Sequence, residues 1–320
     1  MLAEGTETMN LQSPSAALVG DHQIPTARVD AGRLGVAWVA TLLLSRLPEI
    51  VLREGIGIEA PWINLAWIAI AVALVALGSV APVVRPFRAY LVVMLTVLIL
   101  TTVVDPLVRG VFLGDVAPAD SDPELRRLLG ERVLLAIYAL GVVPVLAVLG
   151  YRGREAYLAL GRLTAPAMRV GRREVSWMIV GPIAMLGLVA MTTAFASSTV
   201  TPTADLWQKA LPLLPVAWLA AGLNAFAEEV LYRAGLLGPL ARVVGSGPAV
   251  AILAVWFGLG HWYGGIPSGV MGLVLAGSLG LLFGKAMVQT RGLGWPWALH
   301  FSADAAIYTF LALGAVAEIA

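Results

Sequence analysis

LPLLPVAWLAAGLNAFAEEVLYRAGLLGPLA, residues 211–241, is a long apolar run whose only charges are Glu228, Glu229 and Arg233. A helix needs roughly 20 mostly apolar residues to cross a bilayer, and this run exceeds that length. Eight similar runs lie near residues 34–52, 62–84, 87–108, 132–150, 176–197, 247–263, 268–289 and 295–317. The pattern predicts an all-α fold, a polytopic transmembrane helix bundle of about eight to nine spans, with nine favoured. Arg46 and Glu49 interrupt the first run, at the spacing of an i,i+3 ion pair near a helix end. No β pattern and no sequence repeat of fixed period is evident.

Composition agrees with the runs. Of 320 residues, 59% are hydrophobic and 13% charged, against about 45–50% and about 25% in ordinary soluble domains. That balance excludes a soluble globular enzyme and a disordered chain. A net charge of +1 provides no basic surface for phosphate, which excludes a nucleic-acid partner. The absence of cysteine excludes disulfides, thiolate metal sites and a cysteine nucleophile. Nineteen of the 21 basic residues are arginine, which with the abundant alanine, glycine and valine points to a GC-rich bacterial genome.

Three regions are expected. Residues 1–30 read as a flexible polar N-terminal tail without the apolar core of a signal peptide. Residues 31–174 hold the first spans and a basic loop, and residues 175–320 form the last helical unit. The loop 151–175 carries Arg152, Arg154, Arg162, Arg169, Arg172 and Arg173, whereas 109–131 carries Asp115, Asp120, Asp122, Glu124 and Glu131. Positive residues favour the cytoplasmic side, so the N-terminus is expected inside a bacterial cytoplasmic membrane. In the eighth run Gly272, Ala276, Gly280 and Gly284 recur every four residues, a small-residue face against which another helix can pack closely.

The last 110 residues hold four acids, Glu228, Glu229, Asp304 and Glu318, and two histidines, His261 and His300. All but Glu318 sit inside apolar runs. A charged group at the bilayer centre costs at least about 2.5–3.5 kcal/mol, so these groups should face one another or a polar cavity. Glu229 and Arg233, four apart, fit a structural ion pair. Glu228 shares the adjoining stripe with Asn224 and Tyr232, and His261 lies one turn beyond Phe257. The sixth and seventh helices form a hairpin turning near Val244 and Gly245. Glu228 and His261 each lie roughly 20 Å from that turn at 1.5 Å per residue, provided the sixth helix continues past Arg233 and the Gly238–Pro239 step. His300 falls at a different depth on a regular helix, and a re-entrant entry through Gly292, Gly294 and Pro296 would reconcile it. Trp262 and Tyr263 read either as interfacial anchors or as the rim of a substrate groove. Ser302 is the nearby hydroxyl, and nothing marks it as activated.

The motifs Glu228-Glu229-x-x-x-Arg233, Phe257-x-x-x-His261 and His300-x-x-x-Asp304, in this order, resemble those of the CPBP family of intramembrane proteases. That family includes CAAX-type endopeptidases and abortive-infection-like proteins. The resemblance covers about residues 175–317, and the first half of the chain matches only in being helical. It implies hydrolysis of peptide bonds in membrane-associated substrates. Glu228 would activate a water held jointly with His261, Glu229 and Arg233 would fix the helix face, and His300 with Asp304 would stabilise the oxyanion. Many relatives carry Asn where Asp304 stands, so here that carboxyl is protonated, orients His300 or binds metal.

Independent chemistry fits these roles, because a sheltered carboxylate can serve first as base and then as acid, and imidazole N–H groups can stabilise an oxyanion. No cofactor is favoured. Zinc held by Glu228, His261 and His300 is the alternative, although the specific H-E-x-x-H signal is absent. Two readings compete with the protease. A proton-coupled transporter would use the same groups as a relay, but no inverted repeat echoes the Glu-Glu-Arg segment. A non-proteolytic family member would serve as a membrane scaffold or immunity protein. The expected partners are a membrane-bound peptide or protein and the bilayer. Nothing in the sequence marks an oligomeric state.

Overall fold

The computed structural model describes residues 30–112 and 123–317. The polar tail up to residue 29, the acids Asp115, Asp120 and Asp122, and Glu318 lie outside these described residues. The nine apolar runs all appear as helical segments. In chain order they are α1 (Ala31–Leu43) and α2 (Leu47–Ile56), then α3 (Ile63–Val80), α4 (Arg85–Val111) and α5 (Pro123–Val148). After a connecting segment come α6 (Trp177–Ala196), α7 (Ala204–Val244), α8 (Ser246–Gly260), α9 (Gly269–Thr290) and α10 (Gly294–Ala317). Seven are long and apolar enough to cross a membrane, and the α1–α2 pair, bent by 58°, makes an eighth if counted as one span. The bend falls at Ser45-Arg46-Leu47-Pro48, where the Ser45 hydroxyl accepts from the Leu47 amide at 3.1 Å. Glu49 pairs with Arg46 at 2.6 Å, as its spacing predicts, and with Arg53 at 3.6 Å.

The seventh run differs from the rest. Residues of α8 number 15, a rise of about 22 Å at 1.5 Å per residue, short of a hydrocarbon core about 30 Å thick. Its last turn ends at Gly260, and His261 caps it, its amide bonding back to the Gly258 carbonyl at 3.0 Å. Irregular backbone is tolerated at membrane depth where it lines a cavity. Here Gly260, His261, Gly264, Gly265, Ile266 and Pro267 all line one.

Outward faces of the long helices are apolar. Leu65, Val80, Leu186 and Val270 are among many large aliphatic residues left exposed. The buried core, built on Phe87, Tyr90, Leu91, Leu146, Leu231, Leu236 and Leu240, joins α4, α5 and α7. The chain is a multi-pass membrane protein with an all-α bundle.

The small-residue stripe packs as its spacing predicts, and its partner is α8. A Cβ on Gly280 would meet the Ala254 backbone at 3.0 Å, and one on Gly284 would meet the Val250 side chain at 2.9 Å. A tighter contact comes from the other side, where a Cβ on Gly258 would stand 2.5 Å from the Leu273 carbonyl oxygen. Backbone cannot yield as a side-chain tip can. Gly258→Ala is therefore expected to destabilise the bundle by about 1–3 kcal/mol, the usual cost of overpacking. A thermal-unfolding series in detergent would show it as a lowered midpoint.

One expectation fails in the basic loop, where the sequence shows no β pattern. Strand β1 (Pro166–Val170) pairs antiparallel with β2 (Arg173–Ser176), matching Arg169 to Glu174 and Val170 to Arg173. Gly171, at φ +60, supplies the left-handed residue that a two-residue turn requires. The charges fall at Arg169 and on the consecutive residues Arg172, Arg173 and Glu174, so the alternation of apolar and polar residues that marks a strand is missing.

The re-entrant entry to the last helix is also absent. α10 is regular from Gly294, and the glycines before it serve a different purpose. The Leu293 and Gly294 amides donate to the Ala159 and Leu160 carbonyls at 2.8 and 3.0 Å, and the Arg162 amide donates to that of Thr290 at 2.7 Å. A Cβ on Gly161 would clash with the Thr290 carbonyl at 2.8 Å. The backbone contact between residues 159–162 and the α9–α10 connection leaves no room for side chains.

Candidate active site

The site starts from a distortion in α7. Between two α-helical stretches, Glu229–Ala234 adopts a π-helical turn, which inserts an extra residue and is common where helices carry functional groups. The helix nevertheless continues to Val244 with Pro239 inside it, as the hairpin reading requires. The neighbouring carboxylates consequently have different environments. The Glu229 side chain is fully buried, while Glu228 is 16% exposed and lines the cavity.

Glu229 is the structural member. It accepts a very short bond from Arg233 Nη1 and a second from His300 Nδ1 at 2.8 Å. The Arg233 guanidinium lies over the Phe257 ring at 4.3 Å and the Phe283 ring at 5.0 Å. Cation–π contact of this kind strengthens where water is excluded. Phe283 also stacks on His300 with ring centroids 5.1 Å apart. One ion pair and two aromatic rings thus fix the orientation of the His300 imidazole.

With Nδ1 occupied, His300 presents Nε2 to the remaining carboxylates, 3.7 Å from Glu228 Oε2 and 3.6 Å from Asp304 Oδ2. These separations are long for direct hydrogen bonds and suit a bridging water or a substrate oxygen. Asp304 is itself held, accepting from Asn224 Nδ2 at 2.9 Å. His261 Nδ1 donates to the Phe257 carbonyl at 3.0 Å, one turn back in α8. In the neutral ring that leaves Nε2 as an acceptor. The two imidazoles both pack on Phe257, with centroid distances of 4.6 Å for His261 and 6.4 Å for His300. This shared phenyl ring brings the two histidines together although α10 enters as a regular helix.

All six cavity-facing residues expected from the motifs converge. Asn224, Glu228, Tyr232, His261, His300 and Asp304 line one cavity of about 580 Å³, with Phe257 in its wall. Tyr232 packs edge-on against Trp256 at 5.4 Å. Ser302 donates to the Leu299 carbonyl at 2.7 Å. Trp262 and Tyr263 do not line the cavity. Tyr263 instead donates to Glu54 at 3.1 Å and stacks under Arg53 at 4.7 Å, tying the His261 loop to α2.

The first half of the chain contributes more than bare helices. Arg46, Trp67, Thr101 and Arg132 also line the cavity. Arg132 Nε donates to Tyr308 Oη at 2.8 Å. Its signal was a positive charge at the edge of an apolar run, which beside Glu131 reads as an ordinary loop residue. Among the described residues no group of three or more His, Asp or Glu side chains is gathered at metal-ligand distances.

Comparison with known families agrees with the motif reading. Residues 209–306 match the family described as Type II CAAX prenyl endopeptidase Rce1-like, consistent with the intramembrane proteases that the three motifs resemble. The matched segment runs from α7 into α10 and includes every motif residue, while Arg132 lies outside it. The match supports an intramembrane endopeptidase of CAAX type. Neither the curated proteins nor the solved structures include a match to the chain.

Proposed function

We propose that this protein hydrolyses peptide bonds of membrane-associated substrates by a glutamate-activated water. The observation that carries this reading is the placement of His300. It is clamped through Nδ1 by buried Glu229, and its Nε2 is aimed between Glu228 and Asp304 in a single cavity. In the reaction, Glu228 takes one proton from water while His261 Nε2 accepts a hydrogen bond from the O–H that remains. The water oxygen attacks the scissile carbonyl carbon, and the C=O electron pair moves onto oxygen. Facing carboxylates, His300 Nε2 carries a proton and donates it as a hydrogen bond to that oxyanion, the interaction that usually contributes most in acyl transfer. Collapse breaks the C–N bond, and Glu228 returns its proton to the leaving amine. Asp304, anchored by Asn224, orients His300 and leaves oxyanion binding to it.

In this reading the arginine-rich hairpin loop faces the cytoplasm of a bacterial cell, the side that positive residues favour, and with α1–α2 counted as one span the N-terminus lies on the same side. A decisive experiment incubates the purified, reconstituted protein with tagged, lipid-anchored peptides, mapping new termini by mass spectrometry while a pH-sensitive dye is trapped in the vesicles. Cleavage at an internal bond without proton flux is expected. Flux without cleavage would support the transporter and overturn the protease.

A further inference from the structure

The loop that follows His261 has a stretch of main chain without partners. Gly264, Gly265 and Ile266 are exposed and line the cavity. A glycine has no side chain, so Gly264 and Gly265 line it with backbone alone. Among the described residues, the amides and carbonyls of these three residues make no hydrogen bond to another protein group. Bonds on either side hold the loop in place. The Gly269 amide donates to the Trp262 carbonyl at 2.8 Å, and Tyr263 Oη donates to Glu54 at 3.1 Å. A Cβ on Gly272 would stand 2.5 Å from the Pro267 carbonyl oxygen and 2.7 Å from that of His261, so α9 closes against both ends of the loop. Unpaired main-chain groups are costly away from water and usually find a partner.

The same stretch runs beside the reacting groups. Gly265, at φ +95, packs on the His261 ring, where a Cβ would stand 2.6 Å from Cδ2 and 3.3 Å from Nε2. His261 Nε2 is the acceptor for the attacking water, so this main chain borders the place where the scissile carbonyl must lie. A peptide bond inside a helix has its N–H and C=O engaged and its carbonyl carbon shielded by the neighbouring turns. The substrate must therefore be extended at the bond to be cut, and each backbone group released there needs a new partner. We infer that residues 264–266 form a main-chain binding edge, whose amides and carbonyls pair with the backbone of an extended substrate peptide and align its scissile bond with Glu228. This inference rests on the proteolytic reading of the site and adds to it the conformation in which the substrate is held. Pairing through backbone gives affinity without selecting side chains, so the ligand is an unwound peptide segment rather than one particular sequence.

The test measures binding, so that it does not depend on turnover. Glu228→Gln protein in nanodiscs is titrated with fluorescent lipid-anchored peptides, and the tightest binder is remade with single amide-to-ester replacements along its length. Each ester keeps the shape of the peptide and removes one N–H donor. Esters at one or two positions next to the scissile bond are expected to weaken binding about three- to tenfold, the loss of one hydrogen bond, while esters elsewhere change little. Hydrogen–deuterium exchange of the same protein should show the amides of residues 264–266 protected when the unmodified peptide saturates it. Exchange there that is unchanged at saturation would overturn the inference, as would a flat ester series or the absence of saturable binding by any peptide. The perturbation lies in the ligand, so no loop variant has to fold. Should the protection and the position dependence both stand while wild-type protein cleaves none of the peptides, the binding edge is supported and the proteolytic reading fails.

Discussion

Glu228→Gln is expected to lower peptide hydrolysis by about 10²–10⁴-fold, the range typical of removing a general base, while leaving the melting midpoint near that of the wild type. The two expectations have one cause. Glu228 faces the cavity, and the nearest ionisable atom paired with it, His300 Nε2, stands 3.7 Å away. The amide keeps the shape and loses only the capacity to take a proton. Turnover of the same peptides, followed alongside thermal unfolding, separates chemistry from folding. Loss of both together would mean that Glu228 is structural.

Arg233→Met should show the opposite pattern, with stability lost first. The substitution leaves Glu229 buried without its guanidinium, and breaking a buried pair from one side costs about 3–5 kcal/mol. Glu229 and Arg233 are 0% and 4% exposed at their side chains, so water cannot compensate. The double variant Glu229→Gln with Arg233→Met removes both charges and should recover much of the loss, because an apolar or neutral pair of similar volume is often tolerated. Its activity should remain low, since His300 loses the carboxylate that fixes Nδ1. Denaturation in detergent of the two single variants and the double variant forms a mutant cycle that measures the coupling. A cycle with no coupling would contradict the geometry described.

Much of the architecture was legible because lipid imposes simple rules. Long apolar runs become helices, and the few polar residues inside them must meet. Glu228, Glu229, His261, His300 and Asp304 could be picked out by their scarcity, and the four-residue spacing of Glu229 and Arg233 anticipated their pair. Other features depend on packing that no local pattern carries. The meeting of His261 and His300 runs through Phe257, which both imidazoles contact and which looks like any other core aromatic in the sequence. Arg132 reads as a loop charge because its partner on the cavity wall, Tyr308, lies 176 residues away. The β1–β2 hairpin was concealed by arginines at its turn, and the short reach of α8 by the apolar residues that continue beyond Gly260.

The central claim is that Glu228 activates water at this site without a bound metal. Its most direct test is single-turnover cleavage of a tagged, lipid-anchored peptide by wild-type and Glu228→Gln proteins in proteoliposomes, each before and after exhaustive chelation. The account predicts that chelated wild-type protein cleaves as fast as the untreated sample, and that the variant cleaves at background in both. Equal cleavage by wild type and variant, or loss of wild-type activity on chelation with recovery on adding zinc, would contradict it.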